Sequence, residues 1–209
     1  MKKSLSIISL VLIMALAGLM LGGCTDGQDA ITKKLSVYPF NTAVIQYELT
    51  GVVNGEETLY IKGDYSAVHK YATLSDGSEE NVLDLNLGHE SYVADLNKMT
   101  AVKAQNNDYG TMLTMSPEDQ KKFLIKQSLG LRDNVEVPAP SGTKKVAGYT
   151  CDFYLVENVG SLCIWNNVVL EKEIMVLGLV NKKTALSVLE NIEIDNTKFE
   201  LPAGVILKN

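Results

Sequence analysis

From about residue 43 onward, apolar residues recur at every second position, in short runs broken roughly every ten residues by turn formers. This rhythm constrains the fold more than any other feature. A side chain every second position on one face is the period of a half-buried strand, whereas a helix would need spacings of three and four. "TAVIQYELTGVV" places Ala43, Ile45, Tyr47 and Leu49 on one face and Gln46, Glu48 and Thr50 on the other, and Asn54-Gly55 supplies a hairpin turn before "EETLYIKG". "AVHKYATL", "NVLDLNLG", "SYVADL" and "TAVKAQ" continue the pattern, the last two joined around Asn97-Lys98. "VAGYTCDFYLV", "SLCIW", "VVLEKEIMVL" and "TALSVLENIEI" complete it; propensity allows a helix for the last, and the shared parity of Leu186, Val188, Ile192 and Ile194, with Glu190 as the misfit, favours a strand. The chain is therefore expected to be mainly β, with antiparallel strands.

One segment breaks the period. "SPEDQKKFLIKQSLG" carries Ser116 as an N-cap, Pro117 at the first helical position, acids in the first turn and Gly130 past the end. A helix is expected at about 116–130, with Phe123, Leu124, Ile125 and Leu129 in its second half buried against the sheet. Residues 132–145 have the Pro, Gly and Ser content of a loop. That loop should return to the same sheet, because about 60 further residues would build only a marginal core of their own.

The N-terminus sets an address. Lys2 and Lys3 precede an apolar run from about Ile7 to Leu21, too short for a membrane span of roughly 20 residues and followed at once by polar sequence. Leu21-Gly22-Gly23-Cys24 resembles the lipobox of bacterial lipoprotein signals. The resemblance implies that residues 1–23 are removed and that Cys24 is lipidated, and it makes 24–42 a tether ahead of a single domain at 43–209. One acyl chain anchors marginally and each buried methylene adds roughly 0.8 kcal/mol, so diacylglyceryl plus N-acyl chains would hold the protein on a membrane. Thr25, where an Asp would mark inner-membrane retention in enteric-type bacteria, favours the outer membrane if the source has two; otherwise the anchor is the outer face of the cell membrane. Losing two lysines from 19 basic residues leaves 17 against 25 acidic, a net charge of −8. Such a surface is repelled by phosphate backbones, which argues against nucleic-acid partners.

"YIKGDY" (60–65), "KKVAGYTCDFY", "CIWNNVVLEKE" and "FELPAGV" (199–205) together resemble the Lol-type family of outer-membrane lipoprotein-sorting carriers and receptors. The resemblance is one of pattern over roughly 43–206. It implies a strongly curved antiparallel sheet forming an unclosed barrel, with the helix at about 116–130 covering an apolar hollow that shields acyl chains. Candidate lining residues are Tyr47, Leu49, Tyr60, Phe123, Leu124, Phe153, Trp165 and Leu170. The family's carriers latch the helix with an arginine; the sole arginine here, Arg132, lies just beyond it.

With Cys24 taken by lipid, Cys151 and Cys163 form an even pair in an exported chain, which favours a disulfide over two buried thiols or a metal or redox site. A turn centred on Glu157 would set them face to face, and one centred on Val159 would offset them by four positions. His69 and His89 have no paired-His spacing, and Asp84, Glu90 and Asp95 alternate as the wet side of a sheet would. No G-x-S-x-G, phosphate loop or dinucleotide fingerprint occurs. The expected function is therefore non-catalytic, without cofactor or metal: a lipid-anchored envelope protein binding a lipid or acyl chain in its hollow. The competing expectation is a filled core serving an envelope protein partner.

Overall fold

Twelve strands form, against ten segments marked by the alternation, in a computed structural model that describes residues 37–176 and 178–208. Cys24, the leader and the first part of the tether lie outside the described residues. The strands are β1 Thr42–Thr50, β2 Val53–Lys62, β3 Tyr65–Leu74, β4 Glu79–Leu87, β5 Glu90–Asp95, β6 Thr100–Gln105, β7 Gly142–Val146, β8 Tyr149–Val156, β9 Gly160–Trp165, β10 Val168–Val176, β11 Leu179–Glu190 and β12 Ile206–Lys208. Between β6 and β7 run α1, Asn107–Thr114, and α2, Pro117–Leu129. All strands join one sheet in the order β12-β6-β5-β4-β3-β2-β1-β11-β10-β9-β8-β7. Every pair is antiparallel except β12–β6. The two edge strands do not pair with each other, so the sheet stays unclosed, as expected.

Local chemistry explains the turns. Asn166 and Asn167 both take positive φ between β9 and β10, the two-residue turn whose twist suits a hairpin. Ala147-Gly148 do the same between β7 and β8, so "VAGYTCDFYLV", expected as one strand, is a hairpin, and β7 begins inside the stretch expected to be loop. Helix α2 has the expected ends: Ser116 Oγ accepts from the Asp119 N–H, and Gly130 closes the helix in the left-handed region. Helix α1 lies outside the sequence expectation: it is only eight residues long, buries no side chain and contains Gly110 and two threonines, which are weak helix formers.

The core is divided into three clusters. In the first, Ala43, Ile45 and Tyr47 of β1 meet Ile61, Val168, Leu170, Ala185 and Val188, with Cys151, Cys163 and Val146 from the far end of the sheet. For these to meet, the sheet must curl around them, and β7 indeed comes into contact with β11. The second cluster lies on the other side of the sheet. Tyr60 stands opposite Val44 and Ala67, on the face turned away from Ile45 and Ile61, and joins Leu83, Leu85, Ala94 and Ala101. Ile192, Ile194, Phe199, Leu201 and Val205 cover this face. The third cluster seats Ile125 and Leu129 of α2 on Tyr154, Leu162 and Ile164. By alternation those residues point away from Phe153, Cys163 and Trp165, so the β8–β9 hairpin is apolar on both faces.

Residues 37–41, placed in the tether by sequence, also pack. Phe40 stacks on Trp165 with ring centroids 5.5 Å apart, and Val37 is buried.

Candidate functional site

The β8–β9 hairpin holds the disulfide. Val156 pairs with Gly160 and Phe153 with Cys163, so the turn centres on Asn158, midway between the two alternatives considered from sequence. Cys151 is thus diagonal to Cys163 and not opposite it. The twist of the hairpin brings this diagonal to a Cα separation of 5.4 Å, inside bonding range, and the two cysteines are joined. The bridge is buried against Tyr47 and Leu170 in the first cluster.

The eight residues expected to line one hollow do not share one. Tyr47, Phe153, Trp165 and Leu170 fill the first cluster, Tyr60 lies in the second on the opposite face, and Leu124 belongs to the third. Phe123 is half-buried outside all three. Leu49 borders a pocket of a different character. The reason is the sheet's change of covered face between β2 and β3, together with α2 sitting on the far side of β8–β9. Among the described residues, Tyr47, Phe153, Trp165 and Leu170 pack together in the first cluster. At the middle of it, Tyr47 is 1% exposed and its hydroxyl donates to the Val169 carbonyl at 3.0 Å. Burial, with smaller contributions from Glu57 and Tyr38, holds its phenol well above the usual tyrosine range.

The pocket that Leu49 borders, about 270 Å³ in volume, lies where the first cluster's face runs out. Sheet register builds it. Leu49 stands opposite Lys183, Lys183 opposite Lys172, and Glu57 opposite both Tyr47 and Lys70. Lys182, Asn181 and Val53 complete the lining. Lys183 Nζ is 2.6 Å from Glu57 Oε1 and 4.4 Å from the centre of the Tyr47 ring. Lys70 pairs with Glu80, and Lys182 lies 3.5 Å from Glu171, which Lys144 also engages. Lys172 has no carboxylate within 4 Å among the described residues; burial first and then the Lys183 charge lower its pKa, against Glu57. None of these lysines was singled out from the sequence. The only available signal was the basic pair Lys182-Lys183 beside an apolar run, and nothing local connects it to Lys70 or Lys172.

The other candidates stay apart. His69 Nε2 lies 2.9 Å from Asn81 Oδ1 on the surface, and His89 meets the Tyr109 ring edge-on. Glu90 engages Lys103 and Tyr92, and Asp95 engages Lys98; these bonds hold both carboxyls below the usual range. Asp84 is raised, by burial first and then by Glu57. Glu90 and Asp95 occupy opposite ends of β5, so these two do not flank a common point. Arg132 is exposed past the end of α2. Among the described residues no three His, Cys, Asp or Glu side chains converge as a metal site would require, and no helix is long and apolar enough to cross a membrane.

No protein-family model matches the sequence, and no curated protein matches it either. Among solved structures, it is similar to an uncharacterized conserved protein from Thermus thermophilus, with 9% identity over 80% of this chain and 90% of that one and a TM-score of 0.47. It is similar to MucB with 11% identity over 88% of this chain and 66% of that one, TM-score 0.37. The MucA/MucB complex of Pseudomonas aeruginosa gives 11% identity over 77% and 56%, TM-score 0.35.

Proposed function

We propose that the chain is a non-catalytic envelope protein, anchored by lipid at Cys24, that binds a partner protein on the outside of a filled sheet and does not enclose an acyl chain. The observation that carries this reading is the dispersal of six of the eight expected lining residues over three separate clusters, with Leu49 and Phe123 outside them. A hollow for an acyl chain needs those side chains around one void, and here they are spread over both faces of the sheet. What remains for recognition is the exterior. Val93 and Val102 stand opposite each other on β5 and β6 at 51% and 53% exposed, and Ile206 on the neighbouring edge strand is 66% exposed. Together they make an apolar strip beside a sheet edge that pairs with no further strand among the described residues, the kind of surface to which a partner strand adds.

The test has two arms. Native mass spectrometry of protein purified from its own envelope should show no stoichiometric lipid beyond the anchor; a bound lipid that survives loss of the Cys24 acyl groups would sink the reading. A photo-crosslinking residue at Val102 should capture one protein partner in cells, and Val93→Lys should abolish that adduct. An adduct unaffected by the charge would place the contact elsewhere.

A further inference from the structure

The lysine-lined pocket is not used by the partner reading. Four lysines and one glutamate border it, in a chain whose expected mature charge is −8. Concentrating lysines against the overall charge, on a half-buried face, costs stability unless an anion compensates them. The protein supplies most of that compensation. Glu57 takes Lys183, and Glu80 and Glu171 take Lys70 and Lys182 from outside the pocket. Lys172 is left over, facing Lys183 across a ladder rung. A second donor is also unspent. Asn181 Oδ1 accepts from the Val53 N–H at 3.3 Å, which fixes the orientation of its amide and leaves the Nδ2 donors without a protein partner among the described residues.

We propose that this pocket binds the phosphate group of a small phosphate ester, held by Lys172 and Lys183 with Asn181 as a neutral donor. Lysine ammoniums suit phosphate as point charges, whereas the planar fork that reads a carboxylate in two bonds belongs to arginine, and none is present. The pocket exceeds the size of a bare phosphate, and Leu49 and Val53 give the remaining volume apolar walls. The ester's organic part occupies that space. The same chemistry is offered by a soluble ester and by a phospholipid headgroup. Met175, Leu179 and Val180, exposed on the rungs beyond Asn181, are placed to meet an interface in the second case.

The experiment uses the full chain carrying Cys24→Ser, so that no acyl group contributes to the signal. Glycerol 3-phosphate is titrated and the Asn181 and Lys183 amides are followed by NMR. Vesicles of phosphatidylglycerol and of phosphatidylcholine are co-sedimented in parallel. Saturable shifts that weaken at least tenfold in Lys172→Gln, and not in Lys98→Gln, support a soluble ester. Sedimentation with phosphatidylglycerol only, weakened at least tenfold by Lys172→Gln without glycerol 3-phosphate binding, supports the headgroup. Lys183→Gln also breaks the pair with Glu57, so the single Lys172→Gln variant is decisive; because Lys172 has no carboxylate partner among the described residues, this variant should unfold at the same or a higher temperature. Binding of neither probe, or binding unchanged in Lys172→Gln, overturns the proposal.

Discussion

Leu170→Ala distinguishes a packed interior from a hollow one. Leu170 is the extra residue of the β10 bulge, between Val169 opposite Ile164 and Glu171 opposite Cys163, and it is fully buried among Tyr47, Cys163 and Ala185. Truncation removes three carbons, about 2.4 kcal/mol of transfer free energy at roughly 0.8 kcal/mol each. If about half of the roughly 75 Å³ removed stays open, the cavity adds about 1 kcal/mol at 24 cal/mol per Å³. The total is about 3.5 kcal/mol. Were Leu170 instead lining a solvent-filled hollow, the truncated side chain would leave no new void and the cost would fall below about 1 kcal/mol. Equilibrium urea unfolding followed by the fluorescence of Trp165, the sole tryptophan and a member of the same cluster, reads the difference. With m near 2 kcal/mol/M the midpoint should fall by about 1.7 M. A drop under about 0.5 M with an unchanged native spectrum would refute the packed interior.

Other perturbations probe separate links. Reducing the Cys151–Cys163 bridge, which closes a loop with a sequence separation of 12, should cost about 3 kcal/mol in the chain-entropy model, seen as a lower urea midpoint with dithiothreitol; an unchanged midpoint once both thiols titrate would show that the staple contributes nothing. Gly51→Ala should destabilise by at least about 2 kcal/mol, because φ is +111° there and an added Cβ would come within 1.9 Å of the Val180 carbonyl oxygen; wild-type melting would mean that this turn does not rest on β11. Tyr47 has a folded pKa above its unfolded value of 10.0, so its contribution is complete below that pH and is lost as pH rises through the folded pKa. Tyr47→Phe should therefore cost about 1 kcal/mol at pH 8, where Val169 loses its donor, and should flatten the alkaline decline; parallel pH profiles would contradict the assignment.

Much of the architecture was legible because it is local. The parity of Ala43, Ile45, Tyr47 and Leu49 matches the buried face of β1, and Ser116, Pro117 and Gly130 bound α2 as their cap chemistry requires. What was not legible depends on which face gets covered. In "EETLYIKG" both Tyr60 and its neighbours Leu59 and Ile61 are apolar, so alternation assigns them to two faces without saying which is interior. The answer comes from the coil after β11, where Ile192, Ile194 and Phe199 cover the far face, and their parity imitates a strand's continuation. Phe40 and Trp165 meet only after folding, which hid the role of residues 37–41. The disulfide diagonal likewise depends on twist, which spacing alone cannot supply. The pocket was invisible for the same reason: Lys70, Lys172 and Lys183 lie on three strands whose neighbourhood is set by the sheet order.

Under the proposed partner binding, the two edges of the unclosed sheet are not equivalent. An edge strand offers unpaired backbone groups, and lysines along it are the common defence against unwanted pairing. At the β7 edge that defence is present, since Lys144 and Lys145 are adjacent and exposed. At the other edge, β12 shows Ile206 and Leu207 before its single Lys208, and the rung beside it exposes Val93 and Val102. One edge is protected by charge and the other is left apolar over a few residues, too short to recruit copies of itself along a long register but long enough to seat a chosen strand. On the proposed reading, a partner that adds there gains backbone hydrogen bonds and covers the valines at once.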